Sequence, residues 1–417
     1  MATIPPQSPG RQGQQSHTHF AFAAMTTLFF IWGFITALND ILIPHLKATF
    51  SLSYTQAMLV QFCFFGAYFI VSPVAGKLIE RIGYIRGIIV GLCTIALGCG
   101  LFYPAAEVAV YGLFLLGLFI LAAGVTILQV SANPYVSILG PERTAASRLN
   151  LAQAINSLGH TLAPLFGAAL IFGAVESEQI TAKSVQLPYL LIAGVMLLTA
   201  LSFKFLKLPV IESQDEHTAQ QGDSIWQQKA LVFGTLAIFL YVGAEVTIGS
   251  FLVNYFGQPH IGGLSEHQAS QMVSYYWGGA MIGRFVGAAL TRFVAPIYVL
   301  AFNSIMAIVL LLVSINSSGA LAMWSVIAVG FFNSIMFPTI FTLAIRGLGP
   351  LTSRGSGLLC QAIVGGAILP LIQGLVADGT SVQFSFVVPM LAYIYIGWYA
   401  LVGSKRPAAQ QEVPVSL

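Results

Sequence analysis

Leu139 to Ile155 reads LGPERTAASRLNLAQAI, and Leu348 to Ile363 reads LGPLTSRGSGLLCQAI. The second stretch echoes the first. Leu-Gly-Pro opens both, Arg148 returns as Arg354, and Gln153 returns as Gln361. Just upstream, Asn133-Pro134 is matched by Phe337-Pro338. Further upstream, Gly76 to Arg81 is matched by Gly287 to Arg292, with Thr291 where the acid Glu80 stood. Matched stretches in the same order on either side of a polar middle read as one unit laid out twice in the same sense, a parallel repeat.

The rest of the chain says what that unit is made of. Of 417 residues, 57% are hydrophobic and only 7% charged, against about 25% charged in a soluble protein. About twenty apolar residues cross a bilayer. Hydropathy gives twelve such runs: 20–43, 55–79, 84–103, 108–137, 150–174, 187–206, 229–256, 267–290, 294–315, 320–345, 355–377 and 382–403. The expected fold is all-α, with twelve transmembrane helices in two six-helix halves at 20–206 and 229–403. A polar linker at 207–228 joins them, with tails at 1–19 and 404–417. Residues 1–19 are polar and the first apolar run is long, so no cleavable signal peptide is expected. Cys63, Cys93, Cys99 and Cys360 all fall in apolar runs, where they act as small fillers rather than a disulfide framework.

Charge sets the orientation. Of 17 Lys and Arg, only Lys47, Lys183 and Arg284 lie away from the termini and the even-to-odd connections. The positive-inside rule puts that basic side, and with it both termini, in the cytoplasm. A bacterial-type inner membrane is the expected location. The net charge of +3 follows from this asymmetry and gives no reason to expect a nucleic-acid partner.

Polar residues inside the apolar runs mark the candidate site. Asp40 and Glu245 are the only carboxylates that fall inside the twelve runs, one in each half. An acid at mid-helix costs roughly 2.5–3.5 kcal/mol on insertion scales, so such residues face a polar interior and work there. Trp32, Thr36 and Asn39/Asp40 follow at helical spacing on one face. Thr126, Gln129 and Asn133 share a face of the fourth run, and Gln153, Asn156 and His160 share one of the fifth. Amides both donate and accept, which suits a ligand covered in hydroxyls. The competing reading is interhelical hydrogen bonding, worth about 0.6 kcal/mol on average. Asn333 and Gln361 are the amide candidates of the second half, and Trp32 or Trp277 would stack on a ring. Glu245 has two readings, a direct ligand or ion contact, or a structural partner for Arg284 on the next helix. Pro134 is expected to loosen the fourth helix by removing a backbone donor, which is tolerable where a neighbour takes the freed carbonyl.

The connection Gly76-Lys-Leu-Ile-Glu80-Arg81-Ile-Gly83-Tyr-Ile-Arg86 has the form G-x-x-x-[D/E]-R-x-G-x-x-R. It resembles the signature loop of the major facilitator superfamily, in which the acid and base pair across helix ends and help close the inner side. The resemblance implies gating roles for Gly76, Glu80, Arg81 and Arg86, and by the repeat for Arg148 and Arg354. ALNDILIP, LQVSANPYVSILGPE, RLNLAQAINSLG, YVGAEVTIGSFLVNYF and FPTIFTLAIRGLG together resemble the fucose–galactose–glucose symporter family within it. In the fucose/proton branch of that family the acid of the LND stretch and a glutamate of the fourth span are the protonatable pair. Asp40 matches the first, but Gln129 stands at the second. That substitution, with Glu245, is similar to the glucose/galactose branch.

The resemblance implies a monomeric carrier importing a hexose with a proton or sodium by alternating access, without further cofactor. Cation coupling would fall to Asp40, Asn39 and Glu245, with a sodium site near Asp40 as one form. Moving one charge through 100 mV yields about 2.3 kcal/mol, enough for roughly a fifty-fold gradient of a neutral sugar. The alternatives are a symporter for N-acetylglucosamine, fucose or another modified sugar, and an uncoupled facilitative carrier. An intramembrane enzyme is disfavoured, because no metal-ligand cluster or nucleophile–base set appears. An exporter of apolar compounds would need fewer cavity amides.

Overall fold

A computed structural model describes residues 18–37, 54–167, 186–206, 208–209 and 224–405. Asn39, Asp40, Lys47, Lys183 and most of the 207–228 linker therefore lie outside the described residues. Twelve helices are present among the described residues: α1 (Thr18–Ala37), α2 (Tyr54–Ile82), α3 (Tyr84–Val108), α4 (Tyr111–Ile138), α5 (Ala145–Gly167), α6 (Gln186–Phe205), α7 (Lys229–Phe256), α8 (Glu266–Phe293), α9 (Pro296–Asn316), α10 (Gly319–Ile345), α11 (Gly349–Gly379) and α12 (Val382–Gly403). Ten are long and apolar enough to cross a membrane. The other two, α5 and α8, are the helices that carry the amide face and Arg284.

Local chemistry sets the helix ends. Gly83 takes φ 82° between α2 and α3, a left-handed geometry that lets the chain reverse in one residue. Ser265 and Gln268 form a reciprocal capping box at the start of α8. Pro296 opens α9 where its missing N–H costs nothing.

In the first half α3 packs on α4 and α6, and α2 packs on α4. In the second, α9 packs on α10 and α12, and α7 packs on α11 and α12. The halves meet along two helix pairs, α2 with the first part of α11 and α5 with α8. These pairs exchange under the sequence repeat, as a parallel duplication requires. In α10, 78% of the apolar window is buried and in α4 67%, against 33% in α6. Hence α4 and α10 run through the middle and α6 lies on the perimeter, with Leu197, Leu198 and Phe205 exposed as a lipid-facing surface would be.

The two matched prolines behave differently. Pro134 leaves α4 continuous, contrary to the loosening expected, while α10 breaks at Ser334–Ile335, four and three residues before Pro338. A proline frees the carbonyl four residues before it. Val130 O is taken by the Ser356 hydroxyl of α11 at 2.9 Å, and Ser334 O by Arg284 Nε of α8 at 3.2 Å. Both freed carbonyls are satisfied by a neighbouring helix, as burial demands.

Candidate functional site

The halves are closed against each other at the end that carries the α2–α3, α4–α5 and α10–α11 connections, the basic end. A Cβ at Gly357 would lie 2.7 Å from Ser72 O, and one at Gly76 would lie 3.0 Å from Ser353 O, so α2 and α11 touch backbone to backbone. Hydrogen bonds sew the same end. Ser147 Oγ donates to Ala288 O at 2.6 Å, and Asn150 Nδ2 to Thr339 Oγ1 at 3.4 Å. Ser353 Oγ donates to Tyr84 Oη at 3.2 Å. Arg346 of the second half pairs with Glu142 of the first.

This corrects part of the gating expectation. Glu80, Arg81 and Arg86 are exposed and form no ion pair among the described residues. Small residues allow close approach here, so backbone contact, neutral hydrogen bonds and the Arg346–Glu142 pair do the closing. Arg148 is a cap: it donates to Val136 O, Pro141 O and Gly140 O at 3.0–3.2 Å, and to Thr144 Oγ1 at 2.6 Å. Its echo Arg354 makes no such bonds among the described residues. The α10–α11 turn, with Gly347 and Gly349 at φ 59° and 52°, closes on its own backbone through Leu348 N to Ile345 O and offers no equivalent row of carbonyls.

Away from the basic end the halves part around two connected chambers. The outer one, about 750 Å³, is lined by Thr36, Phe64, Phe65, Tyr68, His160, Ser250 and Trp277 among others. The inner one, about 150 Å³, adds Gln153, Tyr241, Phe337 and Pro338. Trp32, Gln129, Asn156, Glu245 and Arg284 line both and form the neck between them. The α5 face therefore descends the cavity, with His160 outermost, Asn156 at the neck and Gln153 within. At 1.5 Å per residue that descent covers about 10 Å.

The neck is polar and internally bonded. Gln129 Nε2 donates to the Tyr68 hydroxyl. Asn156 Nδ2 donates to Phe29 O of α1 at 2.8 Å. Glu245 Oε1 accepts from Tyr241 Oη at 2.8 Å and from Arg284 Nη2 at 3.2 Å. The two side chains of this ion pair are 13% and 16% exposed, which puts them at a water-accessible wall and not in a sealed core. Glu245 is thus paired with Arg284 and also faces the cavity.

Three amide expectations are corrected. Asn133 is fully buried beneath the floor, where its Oδ1 accepts from Gln153 Nε2 at 3.5 Å. Asn333 is also fully buried, donating to Tyr276 Oη at 2.7 Å and Tyr393 Oη at 3.2 Å behind Glu245. Gln361 donates to Phe69 O of α2 at 3.1 Å and lines neither chamber. Trp277 reaches only the outer chamber, its ring lying 2.9 Å from where a Cβ at Gly249 would be. Sequence reasoning missed Tyr68 and Ser157. Tyr68 stands one turn from Phe64 on the cavity face of α2, and Ser157 sits beside Asn156 on α5.

The family model for the Major Facilitator Superfamily matches residues 20–359. The chain is 55% identical to the glucose/galactose transporter of Brucella abortus, over 97% of this chain and all of that one. It is 37% identical to the L-fucose-proton symporter of Escherichia coli, over 93% and 94% of the two chains. Among solved structures, the major facilitator transporter FucP in the outward conformation superposes with a TM-score of 0.87 at 35% identity, covering 94% of this chain and all of that one. The chain belongs to the major facilitator superfamily of membrane transporters, and within it to the family that holds these glucose/galactose and L-fucose transporters.

Proposed function

We propose that this protein imports a hexose, glucose or galactose foremost, by cation-coupled symport with alternating access. The observation that carries the reading is the neck, where an indole, two amides, a carboxylate and a guanidinium meet at the floor of a cavity open at one end. Such a set offers donors and acceptors to several hydroxyls at once and one flat apolar face to a ring. The name of the Brucella abortus relative supports glucose and galactose. So does Gln129, at the position where the fucose-type mechanism would need a glutamate.

In this reading the basic end faces the cytoplasm of a bacterial-type inner membrane, with both termini on that side, and the cavity opens outward. Sugar enters past Trp277 and His160 and is held at the neck. The Gly76–Gly357 seam then parts while the outer end closes. Asp40 carries the coupling cation, as a proton on its carboxylate or as sodium shared with Asn39 and Thr36. The carrier works as a monomer and uses no other cofactor. A second reading, uncoupled facilitation, draws on the Glu245–Arg284 pair, which already engages one of the two intramembrane acids.

The test is uptake into proteoliposomes under imposed proton or sodium gradients, with D-glucose, D-galactose, L-fucose and N-acetylglucosamine as competitors. Accumulation of glucose and galactose under one gradient only is expected. Equilibration that ignores both gradients would favour facilitation, and competition by L-fucose or N-acetylglucosamine alone would overturn the substrate assignment.

A further inference from the structure

Arg284 is tied to three elements at once. Its Nε holds Ser334 O, the carbonyl freed by Pro338, at 3.2 Å. Its Nη2 holds Glu245 Oε1 at 3.2 Å, and its Nη1 donates to the Ser157 hydroxyl of α5, across the boundary between the halves. The serine is set up to accept. It donates its one hydrogen to Gln153 O at 2.9 Å, which leaves its lone pairs for the guanidinium. Tyr241 Oη and Arg284 both converge on Glu245 Oε1, and Oε2 has no hydrogen-bond partner among the described residues. Arginine and carboxylate otherwise favour two parallel hydrogen bonds, one to each oxygen. Here Nη1 gives one of its two hydrogens to Ser157, and no bond from it reaches Oε2.

We propose that Ser157 is a positioning residue: by holding Arg284 Nη1 it keeps the arginine off Glu245 Oε2, so that this oxygen is presented to a sugar hydroxyl. The proposal rests on the sugar-transport reading and deepens it. Ser157 belongs to the first half, whereas Arg284 and Glu245 belong to the second. The ligand-ready carboxylate is thus a product of α5 lying against α8 at this height, and sugar affinity is linked to how the halves are docked. Without the hydroxyl, Nη1 turns to Oε2 and competes with the sugar.

The experiment is exchange of radiolabelled D-glucose and D-galactose in proteoliposomes of the full chain. Ser157→Ala should raise the half-saturation concentration about tenfold or more, the loss of one hydrogen bond to a charged group, and by more than any fall in maximal rate. Ser157→Thr, which keeps the hydroxyl and its bond to Gln153 O, should restore it. Ser157→Cys, near-isosteric but a weak acceptor, should behave as Ala and serves if Ser157→Ala folds poorly. In the Glu245→Gln background, where no charged fork can form, Ser157→Ala should have much less effect. A direct serine–sugar bond would instead give additive losses in that cycle, and additivity overturns the proposal. An unmoved half-saturation in both Ser157→Ala and Ser157→Cys, with normal exchange by the unmodified protein, overturns the role of Ser157 alone. No sugar exchange by the unmodified protein would overturn the transport reading and the proposal together.

Discussion

Removing the charge of Arg284 should harm the protein more than removing the charge of Glu245. Both side chains are largely enclosed, and stranding one charge of such a pair costs about 3–5 kcal/mol. The two changes strand different things. Glu245→Gln keeps an oxygen for Tyr241, and Arg284 keeps its bonds to Ser334 O and Ser157. Arg284→Gln leaves a carboxylate with Tyr241 as its one donor. It also leaves the Pro338-freed carbonyl unmet, a further loss of about 1–3 kcal/mol. The expected order of thermal stability in detergent is therefore unmodified protein, then Glu245→Gln, then Arg284→Gln. The double change removes the stranded charge and should lie above Arg284→Gln, still short of Glu245→Gln because Ser334 O stays unmet. Uptake measured on the same preparations separates stability from transport, since the double variant lacks the carboxylate proposed to meet the sugar and should not regain activity. Equal destabilisation by the two single changes, or a double variant as unstable as their sum, would refute this account of the pair. A double variant that regains both stability and transport would make Glu245 structural.

Gln153→Ala should raise the half-saturation concentration for sugar roughly 5- to 150-fold, the range for one buried hydrogen bond worth about 1–3 kcal/mol. Unchanged affinity would confine Gln153 to its contact with Asn133. Asp40→Asn should abolish accumulation against a gradient while leaving sugar exchange, and concentrative uptake by that variant would remove Asp40 from coupling. Gly357→Val forces side-chain atoms against Ser72 O, where even a Cβ would sit at 2.7 Å. It should wedge the basic end open and expose a Ser147→Cys thiol to labelling, and labelling no faster than in an otherwise unmodified Ser147→Cys protein would count against the Gly76–Gly357 seam as the gate.

The fold was legible because lipid imposes long apolar runs, and the observed helices depart from those runs mainly at their polar ends, as where α5 begins at Ala145 in place of residue 150. The site was legible in the helical face of α5 and in Glu245, and less so in the other amides. Helical periodicity gives direction but not depth. Asn133 lies only about 40° around the axis from Gln129 but about 6 Å further down, and the cavity floor falls between them. Nor does periodicity say which neighbour fills a face. Asn333 points into a cluster of tyrosines from α8 and α12, and Gln361 spans to the backbone of α2. Both assignments require the packing of helices distant in sequence.

The repeat is more closely kept in position than in chemistry. Pro134 and Pro338 each release a carbonyl near the boundary between halves. The first is met by a neutral serine of the opposite half, Ser356, within the closed basic end. The second is met by an arginine of its own half that also grips the cavity acid and, through Ser157, the opposite half. A hydroxyl–carbonyl bond contributes about 1 kcal/mol and exchanges readily for water, so the Ser356 contact can break each time the basic end opens. A charged hydrogen bond at the neck costs more to break. The α4 contact is thus the weaker of the two and the α10 contact the stronger, which sets the more durable link at the neck and the more labile one within the closed end.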